Sequence, residues 1–172
     1  MPTPNRYAAL LRGINVGRAK RIAMADLRAL FETLGFTDVR TLLNSGNVVF
    51  TAPKSKGANS ESLQERIETA MAKKLGVAAN VVVLRAAEVE AMVDGNPLPK
   101  GLEEPSRYLV AVLRRADEAR KLDELLGKDW APDALAVRGR AAYMWCPEGF
   151  LDSPLPAAVG RALRDQVTTR NW

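Results

Sequence analysis

The chain has 172 residues, 47% of them apolar, with 25 Lys and Arg against 20 Asp and Glu for a formal charge of +5. It has no histidine and one cysteine. Those counts exclude histidine general bases, Ser-His-Asp triads, histidine-ligated metals, multi-cysteine zinc or iron–sulfur centres and an intrachain disulfide.

The apolar fraction is that of a globular protein with a true core. The opening, MPTPNRYAALL, lacks the basic-then-apolar order of a secretory signal. No apolar run approaches the roughly 18 residues of a membrane span, so no membrane partner is expected and a cytoplasmic location is. The charge is uneven. Residues 1–52 hold seven Lys and Arg against three acids, Asp26, Glu32 and Asp38. That excess is either ordinary solubility charge or a surface that meets an anion.

Tyr7–Leu11 reads as a buried strand, because it is continuous and apolar. Residues 12–22 follow as a loop holding Gly13 and Gly17. Met24, Leu27, Leu30, Phe31 and Leu34 recur at helical spacing, and Gly35 falls where a helix ends. Val39–Leu43 is a short strand. Asn44-Ser45-Gly46-Asn47 is a turn signal before a returning strand, Val48–Thr51. After a polar loop, 53–59, Ser62 and Glu65 have capping-box spacing, and Leu63, Ile67, Ala70, Met71 and Leu75 form a helical face closed by Gly76. Val81–Leu84 is a fourth strand. A short helix over Ala86–Val93 turns Val89, Met92 and Val93 inward and is broken by the Gly95–Gly101 stretch.

The order then repeats. Tyr108–Leu113 is a strand, and Asp117 is placed as the N-cap of a helix carrying Ala119, Leu122, Leu125 and Leu126, closed by Gly127. Ala134–Val137 and Ala141–Cys146 flank the turn Arg138-Gly139-Arg140. Ser153-Pro154 opens a helix bearing Leu155, Val159, Ala162 and Leu163. Val167–Thr169 starts a last strand. The pattern therefore predicts an α+β protein of two tandem ferredoxin-like (β-α-β-β-α-β, α/β plait) units with antiparallel sheets. The expected domains are 1–85, a connecting helix and linker over 86–106, and 107–172.

Arg12, Gly13, Asn15, Gly17 and Arg18 make the first candidate site. A glycine-marked loop between strand and helix can turn backbone N–H groups on a phosphate or carboxylate, with an arginine as charged fork. It has neither a Walker ending nor a dinucleotide fingerprint, and the alternative is a loop whose glycines only permit positive φ. Asn44, Ser45, Gly46 and Asn47 read first as a hairpin turn, with a ligand role left open by their density of amides. The loop after the first strand and this hairpin are expected at opposite ends of the sheet, so no shared pocket is expected. Cys146 reads as a small buried apolar residue without an activating base. Glu88, Glu90, Glu103 and Glu104 read as solvated charge, and Trp130, Trp145 and Trp172 as packing residues.

The segments YAALLRGINVG and MADLRALFETLGFTDVRTLLNSGNVVF, together with the closing TTRNW, resemble the domain-of-unknown-function 1697 family. The resemblance implies two ferredoxin-like halves and no established activity, substrate or cofactor. It marks Arg12, Gly13, Asn15, Gly17, Ser45, Gly46, Asn47, Thr169, Arg170 and Asn171 as signature residues. Arg18 departs from it by standing where relatives carry a second glycine. The chain also stops at Trp172 where relatives tend to continue into a helix, so the second unit is expected to lack that helix.

Three function classes stand after this reading. The first is a binding module for an anionic small molecule, nucleotide or nucleic acid. The second is a structural or protein-interaction module, and the third an enzyme using Arg, Asn, Ser and carboxylates without histidine or metal. Charge near the glycine loop favours the first. No aromatic RNP pattern accompanies Phe50, which weighs against RNA. No cofactor is expected.

Overall fold

In the first strand, β1 (Arg6–Leu11), Tyr7, Ala9 and Leu11 are buried while their neighbours are less so, which sets one face of a sheet against a core. A computed structural model describes residues 5–17, 20–54, 59–98 and 103–172. Arg18 of the candidate loop, part of the polar loop 53–59 and part of the Gly95–Gly101 stretch lie outside the described residues. The chain divides into two compact units, Met1–Val89 and Glu90–Trp172.

In the first unit β1 is followed by α1 (Met24–Thr33), β2 (Thr37–Leu42), β3 (Asn47–Thr51), α2 (Ser60–Ala70) and β4 (Val81–Arg85). The sheet order is β2-β3-β1-β4, antiparallel throughout. The second unit repeats this with β5 (Tyr108–Leu113), β6 (Ala134–Arg138), β7 (Ala141–Trp145), α5 (Pro154–Leu163) and β8 (Val167–Asn171), in sheet order β6-β7-β5-β8. Both units are ferredoxin-like, as the element order predicts. Helix α3 (Ala86–Asp94) follows β4 and has no buried residue; Val93, expected to turn inward, is exposed.

The first core gathers the helix-side residues of the sheet with Leu27, Leu30, Phe31, Leu63, Ile67 and Met71. Phe50 lies at its centre, 4.5 Å from Phe36, 5.2 Å from Phe31 and 5.6 Å from Tyr7 between ring centroids. The second core joins Leu109, Ala111 and Leu113 to Leu122, Leu155, Val159 and Leu163.

Two local expectations are corrected. The cap of α2 is Asn59 rather than Ser62: Asn59 Oδ1 accepts from Ser62 N–H, and Ser62 Oγ accepts from Asn59 N–H. The box thus lies three residues earlier, since serine as well as glutamate can reach back from N3. Helix α2 then widens into a π-helical turn over Met71–Leu75 and stops at Gly76, at φ 64°. Asp117 does not cap a regular helix; Arg115 holds its carboxylate at 2.6 Å, and the segment winds as a 3₁₀ helix over Ala116–Leu122 before a short α4 (Asp123–Leu126). Ala119, Leu122 and Leu125 fall three apart, the 3₁₀ period, which lets one tight stripe face the core and leaves Leu126 exposed.

The edge strand β4 has its outward amides covered. Val81 N–H donates to Glu68 Oε1 (2.8 Å), Val83 N–H to Gln64 Oε1 (2.9 Å) and Arg85 N–H to Glu88 Oε2 (2.8 Å). Unsatisfied edge amides template further strands, and these side chains remove that template. Gln64 is only 1% exposed, so its amide serves the strand instead of water. Gln64→Leu is expected to cost about 1–3 kcal/mol in a urea melt, because the buried bond from Val83 N–H to Gln64 Oε1 is lost. Unchanged stability would show that another group covers the Val83 amide.

Candidate functional site

Strands β1 and β2 are each antiparallel to β3, so they run the same way and the chain leaves both at one end of the sheet. The loop after β1 and the β2–β3 turn therefore meet, which corrects the expectation that they lie at opposite ends. Leu11 N–H donates to Gly46 O (2.8 Å), and Asn15 Nδ2 donates to Asn44 O (2.8 Å). A third connector joins them, since Arg12 N–H donates to Asn80 O (2.9 Å), just before β4.

Asn15 is the clasp of this end. Its Oδ1 accepts from Ile22 N–H (2.8 Å), and its Nδ2 also reaches Ile22 O (3.0 Å). Its own amide donates to Lys20 O (3.0 Å). Asn15 stands at φ 55°, a left-handed conformation that asparagine tolerates. Ile14, 1% exposed, plugs the underside of the loop. Gly46 is required against it: at φ 83°, a Cβ there would come 2.7 Å from Ile14 Cδ1 and 2.8 Å from Leu11 Cβ. Asn47 Nδ2 ties the turn through Leu42 O (3.2 Å) and Ser45 Oγ (3.0 Å).

Gly13, Asn15 and Gly17 all have positive φ, so the sign alternates along the loop. Such alternation turns successive N–H groups to one side. Among the described residues, no hydrogen bond uses the amides of Gly13, Ile14, Val16 or Gly17. Among the described residues, the segments forming this end, 11–17, 20–26, 40–47 and 76–80, contain Arg12, Lys20, Arg21 and Arg40 against one acid, Asp26. Arg21 reaches back to Gly17 O at 3.3 Å.

One feature of this end left no mark in the hydrophobic pattern. Val16 is 73% exposed, Leu42 51% and Leu43 78%. Each lies within two residues of the Asn15–Asn44 bond. Leu43 has φ 60°, which disfavours a leucine and which the fold does not repay with burial.

The other candidates have structural partners. Thr169, Arg170 and Asn171 lie on β8 of the second unit, where Arg170 Nη1 donates to Thr168 Oγ1 (2.7 Å) and burial lowers the guanidinium pKa. Cys146 is fully buried just after β7, and burial raises its pKa, which opposes thiolate formation. Ser153 beside it caps α5, accepting from Leu155 N–H and donating to Asp133 Oδ2 (2.6 Å). Trp130 Nε1 donates to Leu125 O (2.7 Å). Burial pushes the Tyr108 phenol up to about 12, and its hydroxyl donates to Asn96 Oδ1. In a shallow groove beside α2, Arg66 donates to Leu34 O (2.6 Å) and Lys74 to Thr33 Oγ1 (3.0 Å), so both cations complete the end of α1. Among the described residues, no group of three or more Cys, Asp or Glu is placed to hold a metal ion. No described helix is long and apolar enough to cross a membrane.

Fold and loop geometry define an α+β protein of two tandem ferredoxin-like units whose first unit carries a clasped, glycine-marked loop. The chain belongs to the family described as "Protein of unknown function (DUF1697)", whose model matches residues 5–143. It is similar in fold to the conserved bacterial protein SP0830 from Streptococcus pneumoniae, with a TM-score of 0.78 and 24% identity over 97% of this chain and 92% of that one. No protein with curated annotation matches the chain.

Two substitutions separate the roles of neighbouring loop residues. Asn15→Ala is expected to lower stability by about 2–4 kcal/mol, because the Ile22 and Asn44 bonds go together and alanine must take a left-handed φ. Leu43→Asn is expected to raise stability by about 0.5–1 kcal/mol, since asparagine accepts that φ and removes exposed apolar surface. Chemical denaturation of both variants checks the pair, and the same direction for both would contradict this assignment.

Proposed function

We propose that the chain is a binding module for an anionic ligand, held at the end of the first unit by the loop Arg12–Arg18. The reading rests on one observation: uncommitted amides at Gly13, Ile14, Val16 and Gly17 in a loop of alternating φ sign. Backbone donors in that arrangement form a concavity that favours negative charge. Arg12 or Arg18 would supply the charged fork, and Lys20, Arg21 and Arg40 raise the local positive field. Asn15 and Gly46 shape the loop and the turn against which it closes; they do not themselves face the ligand.

The family match and the neighbouring structure bring no ligand with them. A second reading, a protein-interaction module, is favoured by the exposure of Val16, Leu42 and Leu43 beside the same loop.

Inorganic phosphate binding, followed by amide chemical-shift titration at low and moderate salt, tests the proposal. Perturbed amides are expected at 13–17. A charge-assisted contact contributes about 1.5–3 kcal/mol, so Arg12→Ala or Arg18→Ala should weaken binding by roughly 10- to 150-fold. Arg120→Ala, on the exposed 3₁₀ segment of the second unit, serves as the control and should leave binding unchanged. Equal affinity in all three variants would reduce the attraction to diffuse charge.

A further inference from the structure

We infer that the anion held at this end is a carboxylate carried by an acidic, leucine-bearing segment of a partner protein. This rests on the anion-binding reading above and names the kind of ligand that fits it. Three observations point to it together. The clasped loops present Val16, Leu42 and Leu43, three of the six large apolar side chains left exposed among the described residues. Each lies within two residues of the Asn15–Asn44 bond, beside the uncommitted amides of the loop, and Arg40 stands two residues before Leu42 in β2. Leu43 is kept at φ 60°, a conformation and an exposure that both oppose stability, as a residue retained for contact would be.

The chemistry of the patch chooses among anions. Stacking of a nucleobase needs an aromatic face, and the first unit has four aromatic residues, Tyr7, Phe31, Phe36 and Phe50. All four are buried in its core. What the surface offers beside its positive charge is aliphatic. Four described basic residues, Arg12, Lys20, Arg21 and Arg40, against Asp26 alone make it complementary to carboxylates, and three branched aliphatic side chains make it complementary to leucine-type neighbours of those carboxylates.

The experiment titrates the full chain with four probes: an acetylated peptide alternating leucine and aspartate, the same peptide with serine for leucine, inorganic phosphate, and oligothymidylate. The leucine peptide is expected to bind about 10-fold more tightly than the serine peptide and to shift the amides of 13–17 and 42–46. The double variant Leu42→Thr with Leu43→Asn should erase that difference, leave phosphate affinity unchanged and not lower the melting temperature. A merely structural role for Leu43 would instead lower the melting temperature. If phosphate binds and the two peptides bind alike, the partner inference is overturned while the anion site stands. Preference for oligothymidylate over both peptides also overturns it. If neither phosphate nor either peptide binds, the anion-binding reading falls with it.

Discussion

The end of the first unit depends on the bond from Leu11 N–H to Gly46 O, made where β1 stops and the β2–β3 turn closes. It continues the pairing of β1 with β3 one step beyond the ladder and brings Gly46 against Ile14. There is no room for a Cβ on Gly46, so the turn and the loop fit only while that position is glycine. Once they are in contact, Asn15 can bond both sides, and the rest of the loop is shaped by that clasp.

The second unit repeats the same backbone logic with different side chains. Leu113 N–H donates to Arg140 O (2.9 Å), and Arg114 N–H to Gln166 O (2.8 Å), as Leu11 and Arg12 do to Gly46 and Asn80. Here the latch is Arg140, whose guanidinium donates to Leu113 O (3.1 Å) and Arg114 O (2.7 Å). An arginine spent on carbonyls closes this end, whereas in the first unit an asparagine does so and the nearby amides of Gly13, Ile14, Val16 and Gly17 stay uncommitted. The two units share a fold and diverge in what their loops leave available.

Stability and exposure are also distributed unevenly within the first unit. Gln64, Glu68 and Glu88 cover the outward amides of β4, and the β2 edge is broken by a bulge between Thr37 and Arg40 with Asp38 at φ 52°. Both edges are therefore blunted against pairing with other strands. Against that care, Val16, Leu42 and Leu43 stand exposed at the clasped end of the unit.

Much of the fold was legible in the sequence. The continuous apolar run Tyr7–Leu11, the helical spacing from Met24 to Leu34 and the repetition of that element order after Tyr108 determined two β-α-β-β-α-β units, because burial leaves apolar runs and periods that survive in residue order. The absence of histidine excludes histidine general bases and histidine metal ligands among these residues. The candidate loop was legible as residues, Arg12 to Arg18, though its relation to Asn44–Asn47 was not. That relation follows from strand direction, since two strands antiparallel to the same third must deliver their loops to one end. Nor could the pattern show that Asn15 serves its own backbone, that Ser62 completes a cap begun at Asn59, or that Leu43 stands exposed at positive φ. The Asn15–Asn44 bond is decided by which carbonyls and amides the packed sheet brings within hydrogen-bonding distance across 29 residues of chain, and local sequence carries no record of such distances.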